Sequence, residues 1–97
     1  MATYLMLRNL TDQGIRTIKE APERRRRAAQ RAEQMGCKIV AAFLTIGPYD
    51  LAMRVDAPDD ETFARFALTV GAQGNLRTTT LKAFPAEEFE QIVGSLS

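Results

Sequence analysis

The sequence predicts an α+β domain built on a four-stranded antiparallel sheet, and three observations carry that prediction. Four short apolar or threonine-rich runs are each bounded by Gly, Pro, Asp or Asn, as strands are. Two longer stretches between them place apolar residues at helical spacing. The order is strand, helix, strand, strand, helix, strand, with a short helix at the end.

Taken along the chain, Thr3 to about Leu10 reads as the first strand, with Tyr4-Leu5-Met6-Leu7 in succession before Arg8. Thr11-Asp12-Gln13-Gly14 breaks it, and Thr11 or Asp12 can cap a helix by accepting from an unpaired first-turn N–H. A short helix with Ile15 and Ile18 comes next. Pro22 suits the first turn of a longer helix, because its missing N–H is not needed there. That helix runs to about Met35, and Gly36 is placed to end it. Lys38 to Ile46 is apolar without alternation and forms the second strand. Gly47-Pro48-Tyr49-Asp50 makes a turn, in which Gly47 and Pro48 are structural. A third strand runs to about Asp56. Asp59, Asp60 and Glu61 then crowd a helix start, where the dipole favours acids. Phe63, Phe66, Ala67 and Val70 follow at helical spacing, Gly71 weakens the last turn, and Gly74 ends it. Leu76 to Phe84 is a fourth, threonine-rich strand. Pro85 opens a last helix with Phe89, Ile92, Val93 and Leu96 on one stripe.

This is the split βαβ order of ferredoxin-like domains, βαββαβ with a short C-terminal helix. Residues 1–97 are read as one domain, and a chain of this length buries roughly 65% of its unfolded surface. Two helices cover only one face of such a sheet. Yet the first two strands do not alternate, as strands with one wet face do. On this reading Tyr4, Met6 and part of the second strand stay on the open face, a patch that marks an interaction surface. Pairing through a two-fold axis is the simplest cover, so a homodimer or larger homo-oligomer of the dimeric α/β-barrel type is expected.

Composition narrows the chemistry. Net charge is +1, from thirteen basic and twelve acidic side chains, which gives no field for nucleic acid or an anionic membrane. The central strands offer Tyr4 and Met53 but no Gly/aromatic motif of the kind that RNA-recognition domains use. No histidine is present, so the commonest metal ligand and the usual neutral-pH base are missing. With Cys37 the only cysteine, no intrachain disulfide forms and a zinc site is disfavoured. Cys37 reads as a packed small residue. No metal, cofactor, nucleic-acid or membrane partner is expected. The N-terminal apolar run is too short for a signal peptide, and the expected location is cytoplasmic.

Arginines mark the candidate site. Side-chain alternation groups Arg8 with Tyr4 and Met6, and Arg54 with Asp50 and Ala52. If both sets share the open face, Arg8 and Arg54 converge with Asp50, and Arg77 lies on a third strand. Such a group is either a salt-bridged interface network or a bidentate site for a carboxylate. Arg24, Arg25, Arg26 and Arg27 wrap one turn of the first long helix. Arg24 and Arg25 lie near the stripe of Ala28, Ala32 and Met35, while Arg26 points away. The run is a solvated face with local ion pairs or a basic lip to an anion site.

The segment Gly47-x-Tyr49-Asp50 resembles the signature of the GYD domain family, small bacterial and archaeal proteins with a ferredoxin-like fold. Thr11-Asp12-Gln13-Gly14-Ile15, Ala57-Pro58-Asp59-Asp60, Gly74-Asn75-Leu76-Arg77-Thr78 and Leu81-Lys82-Ala83-Phe84 match in order. Pro48 fills the variable position, and the arginine run is heavier than the family's. The family has no established activity, so the resemblance implies fold more than function. The strand–turn–strand also resembles ligand-binding domains of leucine-responsive-type regulators, dimers that bind small molecules such as amino acids near subunit interfaces. The functional expectation is a homo-oligomeric module for an acidic or amino-acid-like ligand. Its polar pocket is expected at Arg8, Tyr49, Asp50, Arg54 and Arg77, near the subunit interface. One alternative is a cofactor-independent enzyme of monooxygenase or isomerase type, with Tyr4, Tyr49, Asp50 and Arg54 eligible. The other is a purely structural oligomerisation unit.

Overall fold

A computed structural model describes residues 1–96. The elements are β1 (Ala2–Leu10), α1 (Asp12–Arg16), a single 3₁₀ turn (Ile18–Glu20), α2 (Ala21–Gln34), β2 (Lys38–Leu44), β3 (Leu51–Ala57), α3 (Asp60–Gly71), β4 (Leu76–Ala83) and α4 (Ala86–Gly94). The sheet order is β2-β3-β1-β4 and every pairing is antiparallel. The ferredoxin-like expectation therefore holds element by element.

Local chemistry sets the helix ends. Thr11 accepts from the Gly14 N–H at 3.1 Å and caps α1. Pro22 occupies the first turn of α2. Gly36, at φ +87°, ends that helix. The Cys37 N–H reaches back to the Ala32 carbonyl at 2.8 Å, and the Gly36 N–H to that of Glu33, the paired bonds of a Schellman cap. Asp59 caps α3 by accepting from the Thr62 N–H at 2.7 Å.

α2 and α3 cover one face of the sheet. Between helices and sheet lie Tyr4, Met6, Met53, Val55 and Ala57 from the strands and Phe63, Phe66 and Val70 from α3, all buried. Tyr4 stacks on Phe63 with ring centroids 4.0 Å apart. Phe66, Met6 and Val55 are the largest fully buried side chains. Each stabilises the fold by about 1.5–3 kcal/mol through burial.

The expectation that Tyr4, Met6 and Arg8 stand on the open face is overturned. Ladder register pairs Met6 with Met53 and Tyr4 with Val55, while Leu5 pairs with Arg54 and Leu7 with Ala52. Directly paired residues share a face. Tyr4, Met6 and Arg8 therefore lie under the helices with Met53 and Val55, and Leu5 and Leu7 lie outside with Arg54. Both sets on β1 are apolar, so alternation alone leaves the choice of face undecided. The second strand's lack of alternation has a different cause. A bulge between Ile39 and Ala41 shifts the register and reverses the parity of the residues after it.

The sheet is open, with β2 and β4 as its edges, so the chain alone forms no barrel. Its outer face presents Leu5 at 38% exposure and Leu81 at 48%. The C-terminal helix does not cover that face: residues 86–96 are exposed throughout, including Phe89, Ile92, Val93 and Leu96. The radius of gyration, 14.6 Å, exceeds the roughly 13 Å of a compact domain of this size. Among the described residues, no helix is long and apolar enough to cross a membrane.

Candidate functional site

The site is built where β1 ends. Arg8 is the last β1 residue paired with β3, opposite Leu51, and its side chain points inward beneath α2. It is only 4% exposed. Its Nη1 lies 3.4 Å from the Met53 sulfur, a weak acceptor. Nε and Nη2 are buried without any hydrogen-bond partner among the described residues. No carboxylate pairs with Arg8 among them either. Burial lowers its pKa from the ordinary value, though an arginine stays charged at neutral pH.

Arg8 lines a cavity of about 330 Å³ between the sheet and the start of α2. Leu10, Leu51, Met53 and Leu76 form its floor on three strands, Ala21, Pro22 and Ala28 its α2 wall, and Val70 its α3 side. The polar lining is Arg8, Arg24, Arg25, Gln73 and Asn75. The cavity lies at the small end of the range for ligand pockets and is mostly apolar, as such pockets are.

The arginine run divides along the helix. Arg24 donates through Nη1 to the Thr17 carbonyl at 3.0 Å and hydroxyl at 2.9 Å, which ties the cavity wall to the end of α1. Arg25 is exposed at the rim. Arg26 and Arg27 point away, onto Glu23 at 2.8 and 3.7 Å.

Two stretches that carry the family resemblance meet beside the cavity. The Thr11 N–H donates to the Asn75 carbonyl at 3.1 Å, and its hydroxyl to the Gly74 carbonyl at 2.7 Å. Gln13 Nε2 donates to the Gln73 carbonyl and to Asn75 Oδ1. Gly14 packs so tightly here that a Cβ would collide with the Asn75 carbonyl oxygen. This clamp holds residues 73–75 as the far wall. Sequence alone marks Thr11 only as a cap. Its one signal for the contact is that both stretches are polar, glycine-containing and share one resemblance.

The Gly47–Asp50 turn positions the site without lining it. Gly47 adopts φ +143°, which only glycine takes easily. The Thr45 hydroxyl donates to the Tyr49 carbonyl. The Asp50 N–H donates to the Arg8 carbonyl at 2.9 Å, and its carboxylate accepts from the Leu10 N–H at 2.9 Å. Asp50 thereby extends the β1–β3 connection one step past the ladder and fixes the strand end that carries Arg8.

The five sequence candidates are thus not brought together. Arg8 is inside, and Arg54 is outside, paired with Asp56 at 3.2 Å. Arg77 is exposed and paired in register with Asn9, on the outer face far along β1. Tyr49 and Asp50 lie in the turn. The convergence of Arg8 with Arg54 fails for the same one-residue parity that places Tyr4 and Met6 in the core. Cys37 is buried, and burial pushes its thiol pKa up. Among the described residues, no three His, Cys, Asp or Glu side chains gather to hold a metal ion.

Comparison with known proteins bears on this arrangement. The GYD domain matches residues 4–93. The chain is 37% identical over 89 residues to the "Glutamine synthetase and cystathionine beta-lyase binding protein" of Thermus thermophilus. That alignment covers 91% of this chain and 94% of the relative. A crystal structure of a protein from Thermus thermophilus superposes with a TM-score of 0.58 at 22% identity, covering 89% of this chain and 96% of that one. That likeness speaks for the fold.

Proposed function

Since this chain belongs to the GYD domain family, we propose that it is a small-molecule-binding module that takes an anion into the Arg8 cavity and works as a homo-oligomer. The observation that carries the reading is the buried guanidinium of Arg8, a residue of the cavity lining, with two nitrogens unpartnered among the described residues. An unpaired buried charge costs several kcal/mol on the order of magnitude, and a bound anion offsets that cost. Binding is favoured over catalysis by the lining. Among the described residues it holds no Asp, Glu, Cys, Ser, Thr, Tyr or Lys, so none of them brings a general base or a nucleophile to the cavity. The name of the Thermus relative, a protein that binds enzymes, supports the same non-catalytic role. Isothermal titration of small carboxylates into dialysed protein tests it. Saturable binding to the native protein, lost in Arg8→Met, is expected; no binding of any small anion overturns it.

Self-association is supported by two unpartnered apolar surfaces, the outer sheet face with Leu5 and Leu81 and the stripe of Phe89, Ile92 and Val93 on α4. A two-fold pairing of outer faces closes both sheets' apolar sides at once. Native mass spectrometry at micromolar concentration is expected to find a dimer or a multiple of it, and a strict monomer refutes the assembly. The match over residues 4–93 supports reading residues 1–97 as one domain. The lone buried Cys37 fits a reducing, cytoplasmic setting.

A further inference from the structure

We propose that the Arg8 cavity selects an apolar carboxylic acid that lacks an ammonium group, and so discriminates against amino acids. The inference rests on the anion-binding reading and names the ligand class.

The first argument is the geometry of the free donors. Nη1 faces the Met53 sulfur, which leaves Nε and Nη2 unpartnered. Those two N–H groups are parallel on one edge of the guanidinium plane. A carboxylate meets that edge with both oxygens, one on each donor. A monodentate acceptor leaves one donor buried and unpaired.

The second argument is the sign of everything else. Arg8, Arg24 and Arg25 are cations in the lining, and among the described residues no side chain in it is anionic. The α-ammonium of an amino acid sits two bonds from its carboxylate carbon. Once the carboxylate is on Arg8, the ammonium is held within a few ångströms of a buried like charge, where water screens poorly.

The third argument is the shortage of acceptors. Recognition of an ammonium needs oxygens to receive its three N–H bonds. Most polar oxygens on the far wall are engaged already: Asn75 Oδ1 and the Gln73 carbonyl accept from Gln13, and the Asn75 carbonyl accepts from the Thr11 N–H, which leaves the Gln73 side-chain oxygen as a lone acceptor against the three N–H bonds of an ammonium. The remaining walls, Leu10, Leu51, Leu76 and Val70 among them, fit a branched or aromatic hydrocarbon body. A volume of about 330 Å³ suits a molecule of that modest size.

The test uses matched pairs on the native protein, so it does not depend on any variant folding. By titration calorimetry, 4-methylpentanoate is compared with leucine, and 3-phenylpropanoate with phenylalanine. The uncharged amide 4-methylpentanamide and inorganic phosphate serve as controls for charge and for the apolar body. Each acid is expected to bind at least tenfold more tightly than its amino acid and than either control. Arg8→Lys, which keeps the charge but loses the fork, is expected to weaken the acids by tenfold or more. An amino acid that binds as tightly as its deaminated partner overturns the selectivity and leaves the anion site standing. Phosphate binding alone does the same. Failure of every anion overturns both readings.

Discussion

Arg8→Met separates the two consequences of burying an unpaired cation. Methionine follows the same unbranched path as the arginine stem and brings a soft thioether beside Met53, so the cavity wall is conserved in shape. What disappears is a guanidinium in a residue only 4% exposed, with two donors unpartnered. Leaving a buried donor unsatisfied costs about 1–3 kcal/mol, more when it is charged. Apolar replacement of buried charge commonly gains about 1–4 kcal/mol. The ligand-free variant is therefore expected to be more stable than the native protein, by about 2 kcal/mol. At about 4–8 °C per kcal/mol for a domain of this size, Tm rises by about 8–16 °C. With a small apolar acid present at about a hundred times its Kd, the native protein gains about 2.7 kcal/mol by mass action, and the variant gains nothing. The assay is scanning calorimetry with and without 4-methylpentanoate, at one fixed protein concentration because any assembly shifts Tm as well. A variant that keeps its circular dichroism but melts several degrees below the native protein refutes the reasoning. That result means Arg8 is satisfied in solution and serves the fold.

The clamp and the turn give further outcomes. Gly14→Ala forces a Cβ against the Asn75 carbonyl, so it is expected to cost about 1–3 kcal/mol in urea denaturation and to weaken acid binding by displacing the far wall; an unchanged midpoint refutes the clamp. Asp50→Ala removes a charged acceptor from the Leu10 N–H and is expected to cost about 1.5–3 kcal/mol, whereas Asp50→Asn, which still accepts, costs less; equal losses refute the capping role. Stability also has two pH limbs. The Thr62 N–H holds the Asp59 carboxyl below its ordinary value, and the Tyr4 hydroxyl and Lys82 ammonium do the same for Asp60. Their contribution is full above the unfolded value near about 3.9 and is lost as pH falls through the lowered folded values. Tyr4 runs the other way: burial first, then Asp60, pushes its pKa up to about 12, so its contribution is full below the unfolded value near about 10 and is lost as pH rises toward 12. Urea midpoints from acid to alkaline pH are expected to fall on both sides, with the alkaline fall reduced in Tyr4→Phe; an undiminished alkaline fall in that variant refutes the assignment to Tyr4.

Much of the fold is written in local chemistry. Thr11, Pro22, Gly36 and Asp59 mark helix ends by which backbone groups they can satisfy or forgo, and those rules need no knowledge of the tertiary structure. Strand face is a different kind of information. β1 has two apolar faces, and the one that meets the helices is decided by its partner. Only the pairing of Met6 with Met53 settles it, a contact between residues far apart in sequence. The β2 bulge is hidden for the same reason, since nothing in Ile39-Val40-Ala41 says which residue is left unpaired. The cavity is less legible still. It is made of leucines, alanines and a valine that read as core, and it exists only once α2 is laid over the strand ends. Of the five candidates, Arg8 alone lines it. The proposal that Arg8 binds a carboxylate therefore concerns the opposite side of the sheet from the one the sequence suggests.

Moving Arg8 across the sheet changes how ligand and assembly relate. With Arg8 on the outer face, the site and the subunit contact are one surface, and a bound acid has to sit in the interface. With Arg8 inside, the proposed ligand site and the proposed subunit contact fall on opposite faces of the sheet. The inner face holds the Arg8 cavity, and the outer face offers Leu5, Leu7 and Leu81 to another copy or to a partner protein. Coupling between them then has to pass through β1 itself, whose alternate residues serve the two sides: Arg8 inward, Leu7 outward, one peptide apart. A ligand that draws the Arg8 guanidinium toward its carboxylate acts on the same strand segment that Asp50 fixes by its bonds to Arg8 and Leu10. On those two proposals, the turn bears on both faces through Asp50, which bonds to the Arg8 carbonyl and the Leu10 N–H. Of the family's namesake residues, Asp50 thereby has a physical task, although none of the three lines the cavity.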